Sequence, residues 1–124
     1  MQRFLIVVAA GGLGSGARYL VALAAGDKAH QFPKGTLIVN ILGSFLIALV
    51  LELALRLKSM PPNLSLALAT GFMGGFTTYS SFNYQTTQLA MTGHTGKAAI
   101  NLFATLAGCI VAGLLGILLA RRLA

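Results

Sequence analysis

The sequence predicts an all-α integral membrane protein with four transmembrane helices. Of its 124 residues, 56% are hydrophobic and only 9% are charged, whereas a soluble domain has about 25% charged residues. The apolar residues form long runs that match the length of about 20 residues needed by a helix to cross a bilayer. A chain this short buries only about two thirds of its unfolded surface, so the remaining apolar surface requires a solvent other than water.

Four apolar segments account for most of the chain. They are Phe4 to Ala25, Gly35 to Leu57, Leu64 to Thr92 and Lys97 to Ala120. The segments are too long and continuous for barrel strands, and short connectors with proline, glycine and charged residues join them. No linker separates domains, so we expect residues 1–124 to form a single four-helix transmembrane domain.

The first segment has some features of a secretory signal, because Arg3 precedes an apolar stretch and Ala22-Leu23-Ala24 resembles a cleavage site. However, several glycines and Arg18 interrupt the stretch, and the apolar core of a signal seldom contains such residues. We therefore interpret this segment as a retained transmembrane helix. Its G-x-x-x-G motif, from Gly12 to Gly16, is typical of helices whose backbones pack closely.

Small and polar residues recur at helical spacing in the second and fourth segments. The second segment has Thr36, Asn40, Gly43 and Ser44, and the fourth has Asn101, Thr105, Gly108, Ala112 and Gly116. Residues at this spacing share one helix face. Close packing is the favoured interpretation for Gly108 and Gly116. For Asn40 two interpretations stay open, namely a packing hydrogen bond and the lining of a solute path.

The third segment contains the strongest signal, between Thr70 and Phe82. The adjacent glycines Gly74 and Gly75 are followed by Thr77 and Thr78, and these residues weaken a helix. We therefore predict a helix that is broken in the middle of the membrane. Carbonyl groups freed by such a break could bind a cation, while freed N–H groups and the positive end of the next helix would favour an anion.

After the predicted break, one helix face carries polar and aromatic groups: Tyr79, Phe82, Gln85 or Thr86, and Leu89. The edge of an aromatic ring is positive, so a ring presented edge-on can stabilise a small anion without a full countercharge. A fixed cation would hold the anion too tightly for conduction. Ordinary helix packing is the alternative interpretation of the aromatic residues.

The charged residues exclude several classes of function. Nine Lys and Arg against two acids give a net charge of +7, but all the cations except Arg18 lie at segment edges, where they can meet lipid headgroups. We therefore expect no nucleic-acid partner. Cys109 is the only cysteine, and there is no His and acid cluster that could hold a metal. The sequence shows neither a nucleophile paired with a general base nor a phosphate-binding loop, so no motif indicates an enzyme.

The distribution of cations predicts only a weak preference for one orientation in the membrane. In a four-span arrangement, five cations lie on the side of both termini and three on the opposite side, with Arg18 nearer to the latter. Cytoplasmic loops normally collect Lys and Arg. Insertion in both orientations, which would permit an antiparallel homodimer, and insertion in a single orientation therefore both remain open.

Three motifs together resemble the Fluc family of microbial fluoride channels, also called CrcB proteins. They are the glycine-spaced arginine of residues 12–18, G-T-L-x-x-N at residues 35–40 and G-G-x-T-T-[FY]-S-[ST]-F at residues 74–82. The resemblance covers essentially the whole chain. It implies a multi-pass protein of the plasma (inner) membrane that passively exports fluoride and thereby lowers its toxicity in the cell. It also implies an antiparallel, dual-topology homodimer with two fluoride pathways and a central structural sodium ion.

The resemblance also assigns roles to individual residues. The implied fluoride pathway contains Arg18, Asn40, Tyr79, Phe82, Gln85 and Thr105. The backbone carbonyls of Gly74 and Thr77 would hold the sodium ion. Arg18 would draw anions into an aqueous vestibule, although a position at the membrane interface is an open alternative.

Two positions depart from the family pattern, since Tyr79 stands where phenylalanine is commoner and Gln85 where many relatives have glutamate. An amide keeps the shape of the acid and loses its charge, so we expect Gln85 to alter or impair conduction. The rival function is a small dual-topology, proton-coupled cation or drug exporter, which would need an acid within the membrane. Glu52 does not meet this need, because it lies near the end of its segment and can pair with Arg56.

Overall fold

The computed structural model describes residues 1–124 and is helical, without a β-strand. In chain order the elements are α1 (Gln2–Ala25), α2 (Lys34–Arg56), α3 (Pro62–Leu66), a π-helical segment (Ala67–Met73), α4 (Gly74–Phe76), α5 (Tyr79–Met91) and α6 (Thr95–Leu123). The predicted all-α class is confirmed, and the outer limits of the predicted segments agree with the helix ends to within a few residues.

Three helices, α1, α2 and α6, are each long and apolar enough to cross a bilayer. They contain 24, 23 and 29 residues. The third predicted segment differs from them because it contains no single helix of that length. Its helical residues run from Pro62 to Phe76 and again through α5, and the two residues Thr77 and Thr78 separate these parts.

Local sequence features explain where the first helices end and begin. Gly26 ends α1 in the left-handed conformation, with φ of 65°, which glycine adopts without steric cost. The carboxylate of Asp27 then accepts hydrogen bonds from the backbone N–H groups of Lys34, at 3.1 Å, and Gly35, at 2.7 Å. These two bonds satisfy free donors at the start of α2. Pro62 occupies the first turn of α3, where its missing N–H costs nothing.

Glycines bring the helices into close contact. At the crossing of α2 and α6, a Cβ atom on Gly116 would collide with the Phe45 carbonyl oxygen, and one on Gly108 would lie 2.8 Å from Ile41 Cδ1. At the crossing of α1 with the third segment, a Cβ on Gly14 would collide with the Phe72 carbonyl oxygen. Both crossings therefore depend on the absence of a side chain.

The packing role predicted for Gly12 and Gly16 is not seen within one copy of the chain. Both residues are exposed, and a Cβ atom on either would meet nothing within 4 Å. The buried glycine of α1 is Gly14, which lies between them on the opposite face of the helix. Glycines lie on two faces of α1, and within one copy of the chain the neighbouring helix packs against the face of Gly14.

An ion-pair cluster joins α2 to α6 at one end of the bundle. The Glu52 carboxylate accepts hydrogen bonds from Arg56 Nε at 2.9 Å and from Arg121 Nε at 3.0 Å. The predicted pairing of Glu52 with Arg56 is confirmed, and Arg121 adds a contact between helices. One of the two acids of the chain is thus neutralised by two cations.

Large apolar side chains cover the outside of the bundle. Only 18 of the 124 residues are buried, and the exposed apolar residues include Leu13, Leu55, Phe103 and Ile110. Such an exterior is compatible with lipid, whose tails are as apolar as leucine. The bundle is therefore a membrane protein, as its composition predicted.

Candidate functional site

The interruption in the third segment lies at Thr77 and Thr78. Their backbones are extended, with φ and ψ of −86° and 157° at Thr77 and −151° and 115° at Thr78. The prediction attributed helix weakening to the glycine pair as well, but Gly74 and Gly75 are helical. The β-branched threonines favour extended backbone, whereas Gly75 provides room for the Gly11 carbonyl oxygen of α1.

The side chain of Asn40 holds the interrupted backbone in place. Asn40 Nδ2 donates to the Thr78 carbonyl oxygen at 2.9 Å, and the Thr78 N–H donates to Asn40 Oδ1 at 2.8 Å. The amide thereby replaces the backbone partners that an unbroken helix would supply. Asn40 is only 8% exposed, and Nδ2 retains a second hydrogen that can be donated elsewhere.

Two backbone carbonyls at the interruption lose their usual helical donors. The Thr78 N–H, which would close a helical bond to Gly74, donates to Asn40 instead. The Ser81 N–H, which would do the same for Thr77, donates to the Thr78 hydroxyl at 3.2 Å and so caps α5. The carbonyl oxygens of Gly74 and Thr77 are therefore free of these i+4 bonds.

The intervening Gly75 carbonyl is used differently, because Arg18 and Ser15 of α1 both donate to it. The Arg18 Nε to Gly75 O distance is 3.0 Å, and the Ser15 Oγ to Gly75 O distance is 3.4 Å. Arg18 thus ties α1 to the helix that precedes the interruption. This contact was not foreseen from the sequence, which indicated either a vestibule or the membrane interface for Arg18.

A groove of about 320 Å³ lies beside the interruption. Its wall is formed by Asn40, Ser44, Ile47, Thr77, Thr78, Tyr79, Phe82, Thr105, Leu106, Cys109 and Ile110. Four of the six residues predicted for the fluoride pathway, Asn40, Tyr79, Phe82 and Thr105, meet in this groove, together with Thr77, which was predicted to bind sodium. Its wall contains amide, hydroxyl, thiol, aromatic and aliphatic groups and no Lys, Arg, His, Asp or Glu.

The two aromatic residues of the groove are arranged edge to face. The ring centroids of Tyr79 and Phe82 are 5.8 Å apart, with an angle of 61° between the ring planes. Phe82 is 5% exposed, whereas Tyr79 is 76% exposed. Within one copy of the chain, Phe82 is therefore fixed by packing and the Tyr79 ring is presented outward.

Buried polar atoms without partners lie on the α6 side of the site. Thr105 is 7% exposed, and its hydroxyl has no hydrogen-bond partner. Asn101 Nδ2 donates to Thr86 Oγ1 at 2.8 Å, and the Thr86 hydroxyl donates to the Phe82 carbonyl oxygen at 2.7 Å, which fixes the orientation of the Asn101 amide. Asn101 Oδ1 is then left without a donor.

These unpaired atoms have different chemical capacities. Buried polar groups are rarely without a partner, so each unpaired atom is an unusual and costly feature of this part of the bundle. The Thr105 hydroxyl can donate to an anion. The oriented Asn101 oxygen can only accept, for example from water.

Gln85 lies outside the groove. It lines a separate cavity of about 380 Å³ between α5 and the connector from α1 to α2, together with Asp27, Lys28, Ala29, His30, Gln31, Pro33, Tyr84, Gln88 and Leu89. Gln85 Oε1 is also buried without a partner. Arg18 lines neither cavity. The six residues predicted for one pathway are therefore distributed over three places in the structure.

Ser44 and Cys109 are among the groove residues that were not proposed as site residues from the sequence. Ser44 follows Asn40 by four positions, and Cys109 follows Thr105 by four positions. Residues at this spacing share a helix face, so the same rule that linked the other polar residues could have identified both. The residue type of Cys109 gave no indication of a site, because cysteine is commonly a small apolar packing residue.

Three bilayer-length apolar helices and a groove with an uncharged wall define an all-helical integral membrane protein. The chain belongs to the CrcB family, because the family described as "CrcB-like protein, Camphor Resistance (CrcB)" matches residues 5–117. The resemblance noted in the sequence is thereby confirmed.

Relatives in several bacteria match the chain over its full length, and each is named "Fluoride-specific ion channel FluC". The protein of Anaeromyxobacter sp. (strain K) is 51% identical over 100% of this chain and 99% of its own length. The protein of Geobacter sulfurreducens is 44% identical over 99% and 100%, respectively. That of Prosthecochloris aestuarii is 45% identical over 97% and 96%.

The Asn40 contacts lead to a prediction about stability. Asn40→Ala leaves the N–H and carbonyl of Thr78 unpaired in a buried place, which costs about 1–3 kcal/mol for each group. The free energy of unfolding in detergent, followed by circular dichroism during denaturant titration, should fall accordingly. Asn83→Ala, at an exposed position of α5, is the matched control and should change stability little. Equal stability of the two variants would show that Asn40 does not hold the interruption.

Proposed function

We propose that this protein is a fluoride-selective ion channel that passively carries fluoride out of the cell. The observation that carries the proposal is the match of the whole chain to several proteins named as fluoride-specific ion channels. The groove supports it, since its wall has polar groups but no full charge and is therefore suited to an ion that must enter and leave. The function requires no catalytic step, and the protein is not an enzyme.

The groove offers fluoride several weak ligands. Phe82 and Tyr79 supply positive ring edges, and Asn40 and Thr105 supply an N–H and an O–H that no other group of the chain accepts. None of them carries a full positive charge. Conduction requires binding that is strong enough for entry and weak enough for exit, and neutral ligands satisfy both requirements.

The proposed channel crosses the plasma membrane four times, with the third crossing made by two helical parts. The part that ends at Phe76 packs against α1, and α5 packs against α6. The interruption at Thr77 and Thr78 then lies within the membrane. Irregular backbone is tolerated there where protein groups satisfy it, and Asn40 does so.

The proposed assembly is an antiparallel homodimer surrounded by lipid. In one copy of the chain Tyr79 is 76% exposed, and Gly74 is exposed beside its free carbonyl. A second copy that covered these groups would enclose the groove. The weak bias of the cations between the two sides of the membrane is compatible with insertion in opposite orientations.

A sodium ion at the centre of the proposed dimer would be held by the backbone carbonyls of Gly74 and Thr77. The hydrogen-bond pattern fits this role, because the Thr78 and Ser81 N–H groups that would occupy these carbonyls in a helix are engaged elsewhere. Hard cations prefer oxygen ligands such as carbonyls. The ion would act structurally by supplying a positive centre to these oxygens.

The alternative of a proton-coupled exporter has less support. Such a protein needs an acid within the membrane that can gain and lose a proton. Glu52 lies near the end of α2 and is paired with Arg56 and Arg121. Asp27 lies in the connector before α2 and accepts hydrogen bonds from Lys34 and Gly35. No acid lines the groove, so the site supports a channel better than a proton-coupled exporter.

Fluoride efflux from proteoliposomes tests the function and the role of Phe82 together. Phe82→Ile removes the ring edge while retaining an apolar side chain, so we expect fluoride efflux to fall by about tenfold, the equivalent of about 1.4 kcal/mol. Phe103→Ile, at a position that is 68% exposed, is the control and should conduct normally. The measurement is made with a fluoride electrode in the absence of a proton gradient.

The outcomes separate the competing functions. Equal efflux from the Phe82 and Phe103 variants would remove Phe82 from the pathway. Cation uptake driven by a proton gradient, without fluoride efflux, would favour the exporter.

Gln85→Glu tests the departure from the common family pattern. The substitution adds a titratable charge in the cavity beside α5, so we expect the rate of fluoride efflux or its dependence on pH to change. Gln88→Glu adds the same charge to another wall position of that cavity and serves as the control. Matching pH profiles for Gln85→Glu and the unmodified protein would show that charge at position 85 does not affect conduction.

Removal of sodium tests the proposed central ion. When N-methyl-D-glucamine replaces sodium throughout purification, we expect the dimer to dissociate or fluoride efflux to stop, because the carbonyl oxygens lose the cation that they coordinate. Sedimentation in detergent gives the fraction of dimer, and readdition of sodium should restore it. A stable, conducting dimer after exhaustive removal would contradict the assignment.

A further inference from the structure

Two arginines converge on a single carboxylate oxygen where α2 and α6 end. Glu52 Oε1 accepts from Arg56 Nε at 2.9 Å and from Arg121 Nε at 3.0 Å, so the two Nε atoms lie no farther apart than the sum of these distances. The side chain of Glu52 is 15% exposed, whereas those of Arg56 and Arg121 are 38% and 55% exposed. The carboxylate therefore lies behind the two guanidinium groups, which reach the surface of the bundle.

This ion-pair cluster retains positive charge and hydrogen-bond donors that the chain does not use. Two guanidinium groups face one carboxylate, so one positive charge is uncompensated. Each guanidinium also has further N–H donors besides the Nε–H that Glu52 accepts. Lys58 and Arg122 follow the two arginines closely in the sequence, are exposed and form no ion pair. The other acid of the chain, Asp27, is bound to the backbone at the start of α2, at the opposite end of that helix.

From this arrangement we propose that Arg56 and Arg121 form a binding site for the phosphate group of an anionic glycerophospholipid such as phosphatidylglycerol. The planar fork of a guanidinium matches the spacing of two phosphate oxygens. Two forks held by one carboxylate oxygen can donate to different oxygens of the same phosphate. The site goes beyond the proposed function, because neither arginine lines the groove.

The surroundings of the cluster favour a lipid over a free phosphate ion. Exposed leucines precede the arginines along both helices, at Leu51 and Leu55 on α2 and at Leu118 on α6. Since the arginines lie at the helix ends, these leucines lie deeper in the bilayer. Acyl chains can pack against the leucines while the headgroup meets the arginines. A free phosphate ion would use only the charged part of this surface.

The charge balance of the cluster favours an anionic lipid over a zwitterionic one. Phosphatidylethanolamine carries an ammonium group that needs an acceptor close to its phosphate. The only acid at this end is Glu52, and its exposed neighbours Lys58 and Arg122 are cations. Phosphatidylglycerol has no ammonium group, so its phosphate can meet the basic groups without an opposing charge. Basic pockets between transmembrane helices bind anionic headgroups in this way.

Native mass spectrometry of the purified protein in detergent tests the lipid preference. We expect dioleoyl phosphatidylglycerol to bind about fivefold more tightly than dioleoyl phosphatidylethanolamine, because each basic group near an anionic headgroup contributes about a factor of five. An excess of inorganic phosphate should not displace the bound lipid. Equal affinity for the two lipids would contradict the proposal. Displacement by inorganic phosphate would show a site for the free anion and would also overturn it.

A charge-matched pair of variants locates the site. In the combined variant Glu52→Gln, Arg56→Gln and Arg121→Gln, amides replace the ion-pair cluster without leaving an unpaired acid. This variant lowers the net charge by one, as does the control Lys97→Gln at an exposed position near the other end of α6. The preference for phosphatidylglycerol should disappear in the combined variant and persist in the control. The same preference in both variants would show that the cluster does not bind the lipid.

Glu52→Gln alone tests the site in the opposite direction. It retains both arginines and an oxygen that can accept from them, and it removes the negative charge that competes with the lipid phosphate. Binding of phosphatidylglycerol should therefore tighten by about fivefold. Unchanged or weaker binding would show that the arginines serve only to neutralise Glu52. Circular dichroism confirms that each variant is helical, and if the combined variant fails to fold, Glu52→Gln decides the question on its own.

Discussion

The paired hydrogen bonds between the Asn40 amide and the Thr78 backbone are the interaction on which the rest of the site depends. Without them, a backbone N–H and a carbonyl would remain unpaired in an apolar bundle, at a cost of about 1–3 kcal/mol each. The same bonds divert the Thr78 N–H from Gly74. The Thr78 hydroxyl then caps α5 through Ser81. One amide thus stabilises the interruption, frees carbonyl groups beside it and sets the start of the helix that carries Phe82.

The rest of the bundle supports this arrangement with neutral groups and close backbone contacts. Gly14 and Gly75 allow α1 to approach the third segment, and Arg18 joins the two by donating to the Gly75 carbonyl. Two arginines pair with the carboxylate of Glu52 near the end of α2. The groove wall therefore consists of ring edges, an amide, hydroxyls, a thiol and aliphatic side chains. Such a wall can favour a small anion without trapping it.

Much of the site could be predicted because helical spacing places residues on faces. Helical spacing placed Asn40, Phe82 and Thr105 on helix faces, the family resemblance assigned them to one pathway, and in the structure the three residues line one groove. The resemblance assigned Gln85 to the same pathway, and in the structure Gln85 lines the cavity between α5 and the connector from α1 to α2. The Gly12 and Gly16 pair illustrates a limit of such patterns. Spacing identifies a glycine face of α1, but it does not identify the helix that packs against that face. The position of the interruption was predicted only approximately, because glycine and threonine both weaken a helix.

The sequence by itself determined the membrane class, the extent of the long helices and the family, because the exclusion of charge from long segments and the motifs within them are local properties. The tertiary structure alone decided which α1 glycines pack, where the third segment is interrupted and which carbonyls are left free. It also decided that Arg18 and Gln85 lie outside the groove. The physical reason is that these features depend on contacts between distant segments. Asn40 and Thr78 are 38 residues apart. The sequence around either residue does not reveal that the Asn40 side-chain amide satisfies the backbone groups of Thr78.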